Sequence, residues 1–250
     1  LLRRGRALRS PALRADAREP LPIAVPPAGV PAERKAAMLR ELDERGRSQG
    51  GEIAQFTASY AEARREVAVA NSDGLLSGDD RTRVRIGAQA VARRGDTVET
   101  GAETLGAHRG YELLEDDPGL IAEQAARKAL TLLDARPAPS GSMQVVVGGG
   151  VCGGLGHERT GHGLEADHIQ KGASVYVGRL GQQVAQPLLN AFDDGRLPGE
   201  WGSDAIDDEG VPTQKTQVIE DGRLTSFLYD HLTAERDGVA STGNGRRESF

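Results

Sequence analysis

The chain has 250 residues, 27% of them charged, with 31 Lys and Arg against 37 Asp and Glu for a formal net charge of -6. No apolar run is long enough to span a bilayer, and the acidic balance denies the chain a broad cationic surface, so neither a membrane nor a nucleic acid is expected as a partner. With Cys152 as its single cysteine the chain can form no internal disulfide, which fits a cytoplasmic location.

The first residues, Leu1-Leu2-Arg3-Arg4-Gly5-Arg6, are Arg-rich, but no apolar core of signal-peptide length follows and residue 1 is not Met. They read as the start of a fragment, not as a targeting peptide. Pro20, Pro22, Pro26, Pro27 and Pro31 then prevent helix formation, so residues 1–31 are predicted to be a peripheral segment and a Pro-rich linker. Ala36, Leu39 and Leu42 recur at helical spacing among charges and predict a surface helix from 32 to 45, ended near Gly46 and followed by a break at Gly50-Gly51.

Alternation of apolar and polar residues predicts four antiparallel strands over 53–60, 66–70, 83–91 and 97–104, with turns at Asn71-Ser72-Asp73-Gly74 and Arg94-Gly95-Asp96. In the third, Val84, Ile86, Ala88 and Ala90 share one face and Arg83, Arg85 and Gln89 the other, as in a sheet covered on one side. The expected cover is a helix over 118–134 with Leu120, Ile121, Ala125, Lys128 and Leu132 on its stripe, stopped by Pro137. Pro137-Ala138-Pro139-Ser140-Gly141 marks the predicted boundary between an α/β domain over 32–136 and an incomplete second domain over 141–250.

That second part is predicted to open with a buried strand over 143–147, a glycine-rich turn and a short helix holding the histidines, and to close on a hairpin of 214–220 and 223–229 around Asp221-Gly222. The fold class is therefore α+β: an antiparallel meander with covering helices, then the start of a β-rich domain with a metal-site helix.

Three of the five histidines fall between His157 and His168. Imidazole nitrogen is a good zinc ligand, and Glu158, beside the first histidine, can take a proton from water whose pKa the metal lowers. His157 and His162 are five residues apart, which in a regular helix separates them by about 140°. Both rings reach one ion only if the helix widens by a residue or ends at His162, and Gly161 and Gly163 make either distortion cheap. Glu165, Asp167 and His168 are open as a third ligand or as outer partners, and Cys152 could supply a thiolate, though packing is its commoner role. A competing motif, Gly148, Gly150 and Gly153 in G-x-G-x-x-G spacing, suggests a dinucleotide-binding oxidoreductase. It lacks the acid about 20 residues on, where Lys171 stands.

The chain resembles the TldD/PmbA family of zinc metallopeptidases. The resemblance is carried by Asn71-Ser72-Asp73-Gly74, His157-Glu158 with His162-Gly163-Leu164-Glu165, Gly178-Arg179-Leu180-Gly181, Ile206-Asp207-Asp208-Glu209-Gly210, Ile219-Glu220-Asp221-Gly222 and the run from Thr242 to Ser249. It implies that His157 and His162 bind Zn2+ and that Glu158 is the catalytic glutamate. It also implies a third ligand, a cysteine, beyond Phe250, flexible peptides as substrates, and a heterodimer with a paralogous PmbA/TldE-like subunit that lacks the motif. A catalytically silent, peptide-binding subunit is the alternative within the same family. Two departures from the family pattern surround the motif: Gly153-Gly154-Leu155-Gly156 lowers helix propensity before it, and Arg159-Thr160 puts a charge after Glu158. Asp207-Asp208-Glu209 is expected to form a turn with Gly210, and Arg246 and Arg247 to pair structurally with acids such as Asp207.

Overall fold

The computed structural model describes residues 14–17 and 21–247, with the backbone alone for residues 14–17, Val151 and Cys152. The Arg-rich start, Glu248 and Ser249 lie outside the described residues, and so does the thiol of Cys152.

Helix α1 (Ala32–Arg47) starts directly after Pro31, whose fixed φ suits a helix entry, and its last turn carries Arg45 and Arg47 toward the negative end of the helix dipole. Met38 and Leu42 are its buried face. After the break at Gly50-Gly51 come three antiparallel strands, β2 (Ile53–Ala70), β3 (Leu75–Arg94) and β4 (Thr97–Ala107), joined at the two predicted turns. The four expected strands are three, because residues 61–65 continue the β2–β3 ladder without a break. Charged pairs such as Arg64 Nη2 with Asp80 Oδ2 at 2.7 Å join the two strands there. The segment before the linker is less peripheral than expected: β1 (Arg14–Ala17) pairs in parallel with Leu75–Gly78 of β3.

The covered face of β3 is the predicted one, with Val84, Ile86, Ala88, Ala90 and Ala92 all buried beneath α1 and α2 (Leu120–Leu132). The stripe of α2 differs from expectation. Its buried residues are Ile121, Ala122, Ala125, Ala126 and Ala129, while Leu120 and Leu132 are 47% and 40% exposed. The reason is proximity: a β-carbon on Gly101 of β4 would collide with the Ala125 carbonyl oxygen and the Ala129 amide. Backbone that close leaves room for alanine and pushes the leucines to the rim.

In the second half, α3 (Gly149–Gly156) leads into a π turn (His157–Gly161), a 3-10 turn (His162–Leu164) and α4 (Ala166–Gln170). A small sheet of β5 (Ala191–Asp194), β6 (Lys215–Glu220) and β7 (Arg223–Leu224) follows, then α5 (His231–Asp237). The β6–β7 turn is the predicted one, since Asp221 (φ 45°) and Gly222 (φ 76°) both adopt the left-handed conformation that a two-residue hairpin needs. Beyond Leu224 the expected strand ends, and Leu228 instead bridges in parallel to Glu165. Leu164, Ala166, Val218, Ile219, Leu224, Phe227, Tyr229 and Ala234 form the buried core here. Two expectations fail. Residues 143–147 form no strand, with Val145 71% and Val146 100% exposed, because an apolar run needs a ladder partner and none of the described strands provides one. The glycine-rich segment after them is a helix, not a turn. Without a preceding strand it does not make the strand–turn–helix that dinucleotide binding requires. None of the described helices is long and apolar enough to cross a membrane.

Candidate metal centre

Five of the eight residues of α3 are glycine, the least favourable helix former after proline, so little resists a change of pitch at its end. The helix widens at His157. The His162 amide donates to the His157 carbonyl, five residues back, and this π turn brings together side chains that a regular helix would hold apart. The two imidazoles meet edge to face with centroids 4.5 Å apart. Nitrogen atoms of both rings and a carboxylate oxygen of Glu158 lie within 4.8 Å of one another. At His162 the turn tightens to 3-10 geometry and the chain leaves the helix, so both distortions considered from the sequence occur in succession.

The residues after His162 are fixed by packing. The Tyr176 ring lies on Gly163, where a β-carbon would sit 3.0 Å from it, and Leu164 and Ala166 are buried on either side of Glu165. His162 Nδ1 donates to Glu165 Oε1 at 2.7 Å, which leaves Nε2 as the free lone pair, 4.0 Å from Glu158 Oε2. His168 Nδ1 donates to the His162 carbonyl at 2.9 Å. Glu165, Asp167 and His168 thus form a second trio whose ligand atoms also fall within 4.8 Å. Asp167 in that trio accepts from Lys171 Nζ at 2.7 Å, and this hydrogen bond holds its carboxyl below the usual carboxylate range.

The first trio fits a metal ion. Two imidazoles are donors that zinc and its first-row neighbours accept, a carboxylate stands beside them, and all three side chains are exposed and reachable. An open cleft of about 690 Å³ adjoins them, lined by His157, Gly161, Glu165, Asp193, Asp208 and Arg246, among others.

The far wall of the cleft shows what the sequence did not reveal. Asp207 Oδ1 accepts from the Glu209 and Val211 amides and Oδ2 from the Gly245 amide, so this segment is the expected turn at Gly210. Because those backbone donors occupy Asp207, Arg246 pairs elsewhere. Its Nη1 is 2.9 Å from Asp204 Oδ2 and its Nε 3.5 Å from Asp208 Oδ2. Behind them Arg81, 1% exposed, binds Asp79 at 3.0 Å, Asp208 at 2.8 Å and the Ile206 carbonyl at 2.7 Å. Arg83 Nη2 reaches Asp204 at 2.6 Å. Asp79 and Arg81 lie before the strand predicted from residue 83, and Arg83 falls on its uncovered face. The covering loop around Asp204 makes Asp79 and Arg81 interior and leaves Arg83 partly exposed.

The model of the PmbA/TldA metallopeptidase central domain matches residues 25–133, and that of the C-terminal domain matches residues 140–250. The metalloprotease TldD homolog of Haemophilus influenzae is 38% identical over 224 residues, 87% of this chain and 46% of that protein. The chain belongs to the PmbA/TldD family. It spans about half the length of the curated PmbA/TldD relatives it matches. Among solved structures of similar fold, a Thermotoga maritima protein described as a candidate modulator of DNA gyrase has a TM-score of 0.76 at 25% identity, over 92% of this chain and 53% of that one. TldE from Thermococcus kodakarensis has a TM-score of 0.67 at 22% identity, over 85% of this chain and 48% of that one. Within this chain the His157 and His162 imidazoles, with the Glu158 carboxylate beside them, form a group able to hold a metal ion and a water next to it.

Proposed function

We propose that the chain carries the metal site of a zinc-dependent peptidase and is the catalytic, TldD-like kind of subunit. In this reading His157 and His162 hold Zn2+ through their imidazoles, and Glu158 is the general base and acid. Bound zinc would supply Lewis-acid polarisation of a peptide carbonyl and a lowered pKa for attacking water. Glu158 accepts the proton of that water and returns it to the leaving amine, a shuttle its exposed carboxylate is free to make beside His162 Nε2. The observation that supports the reading is the π turn, which brings the two imidazoles to 4.5 Å between centroids despite their five-residue spacing.

The substrate class we assign is a flexible peptide, for which a cleft of about 690 Å³, open beside His157, is suited to an extended chain. We assign a paralogous PmbA/TldE-like partner in a cytoplasmic heterodimer, which the shared fold with an archaeal TldE supports. We also place a domain boundary at Pro137-Gly141, supported by the gap between the two family matches.

The test is Glu158→Gln in the full-length protein that contains this chain. Zinc content should stay at the wild-type level while peptide turnover falls by about 10²-fold or more. Turnover at the wild-type rate would remove Glu158 from the chemistry.

A further inference from the structure

We infer that Glu165 is the positioning residue of the site, fixing the tautomer and seat of His162 so that Nε2 faces the metal; this rests on the zinc reading above. Glu165 has extended backbone (φ -66°, ψ 126°) between two buried neighbours, Leu164 and Ala166. The Ala166 amide donates to the Leu228 carbonyl and the Leu228 amide to the Leu164 carbonyl, each at 2.9 Å. Its α-carbon is therefore anchored in the core on both sides, whereas His162 stands at the end of a glycine-rich, distorted helix. From that anchor Oε1 accepts the His162 Nδ1 proton at 2.7 Å. Oε2 lies 3.8 Å from His168 Nδ1, whose own proton goes to the His162 carbonyl. His162 is thus held at its ring and at its main chain by the segment that follows it. A carboxylate on the far nitrogen orients a ligating imidazole and raises its basicity.

The neighbouring trio of Glu165, Asp167 and His168 invites the opposite assignment, a metal site of its own. Its two carboxylates already serve other partners, Glu165 with His162 and Asp167 with Lys171.

The experiment uses long-range proton–nitrogen spectra of the histidines in the zinc-free full-length protein that contains this chain, with zinc affinity measured against a competing chelator. In the wild type His162 should read as the Nδ1–H tautomer. Glu165→Ala should release it to a tautomer mixture and weaken zinc about 10–100-fold. Glu165→Gln, which keeps the acceptor oxygen, should restore the tautomer and most of the affinity, and Asp167→Asn should change neither. An unaltered tautomer and affinity in Glu165→Ala would overturn the inference, as would a lower zinc stoichiometry in Asp167→Asn, which would make the second trio the ligand set. His157→Ala separates the two readings: full zinc binding there would sink the metal site, while Glu165 would still be judged by the tautomer.

Discussion

Arg81 shows how much one side chain can hold. It is buried on the strand face opposite the alanine-rich core and satisfies two carboxylates and a carbonyl, so its loss strands charges that have left water. Removing one partner from such a cluster costs about 3–5 kcal/mol, and Arg81→Met should lower denaturant stability by that order. Burial alone would raise the Asp204 and Asp208 carboxyls. For Asp204 the adjacent His108 and then Arg83, Arg81 and Arg246 outweigh it; for Asp208 the Arg247 amide, Arg81 and Arg246 do so, and both pKa values end below normal. Groups with a lowered folded-state pKa stabilise fully above the ordinary carboxylate value of about 4 and lose that contribution as pH falls through the folded value. Wild-type stability should therefore drop below about pH 4, and the drop should be shallower in Arg81→Met. An equal slope in both would remove Arg81 from the titration. Sequence reading singles out His157, Glu158 and His162, which the fold brings together, because local density and chemistry mark them. It missed Arg81, which lies before the strand predicted from residue 83, because nothing local marks a charge that a loop distant in sequence will cover.

Among the elements, those with a strong local period were legible: α1, the two turns flanking β3, the covered face of β3 and the Asp221-Gly222 turn all follow from spacing and turn chemistry. Where tertiary contact decides, the sequence misleads. The apolar stripe of α2 pointed to its leucines, yet Gly101 admits the helix backbone so closely that only alanines fit between them. Gly101→Val would drive a side chain into that contact and should destabilise by roughly 1–3 kcal/mol or more, read as a lower denaturant midpoint at unchanged slope. An unchanged midpoint would mean that α2 can lift off β4 at no cost. The run 143–147 failed for a related reason: hydrophobicity announces burial but does not supply the neighbouring strand. The π turn was legible as a requirement. Five-residue spacing demanded a wider or interrupted helix if both rings were to meet, and glycines around His162 permitted both.

At the scale of the whole molecule, an α-helix-covered sheet and a smaller unit with a three-stranded sheet meet where Arg81 and Arg83 of β3 bind Asp208 and Asp204, and the cleft lined by Asp208 and Arg246 opens beside His157. Sheet, buried ion cluster and cleft wall are continuous through Asp208 and Arg246, so the N-terminal sheet supports the wall that faces the proposed metal. The claim on which the functional reading depends is that His157 and His162 bind one metal ion. The direct measurement is zinc content by elemental analysis after equilibration in buffered excess zinc, for the full-length protein that contains this chain and for its His157→Ala and His162→Ala variants. One zinc per wild-type chain and none in either variant is the expected result. Equal zinc in all three would contradict it and leave the π turn without a metal to explain it.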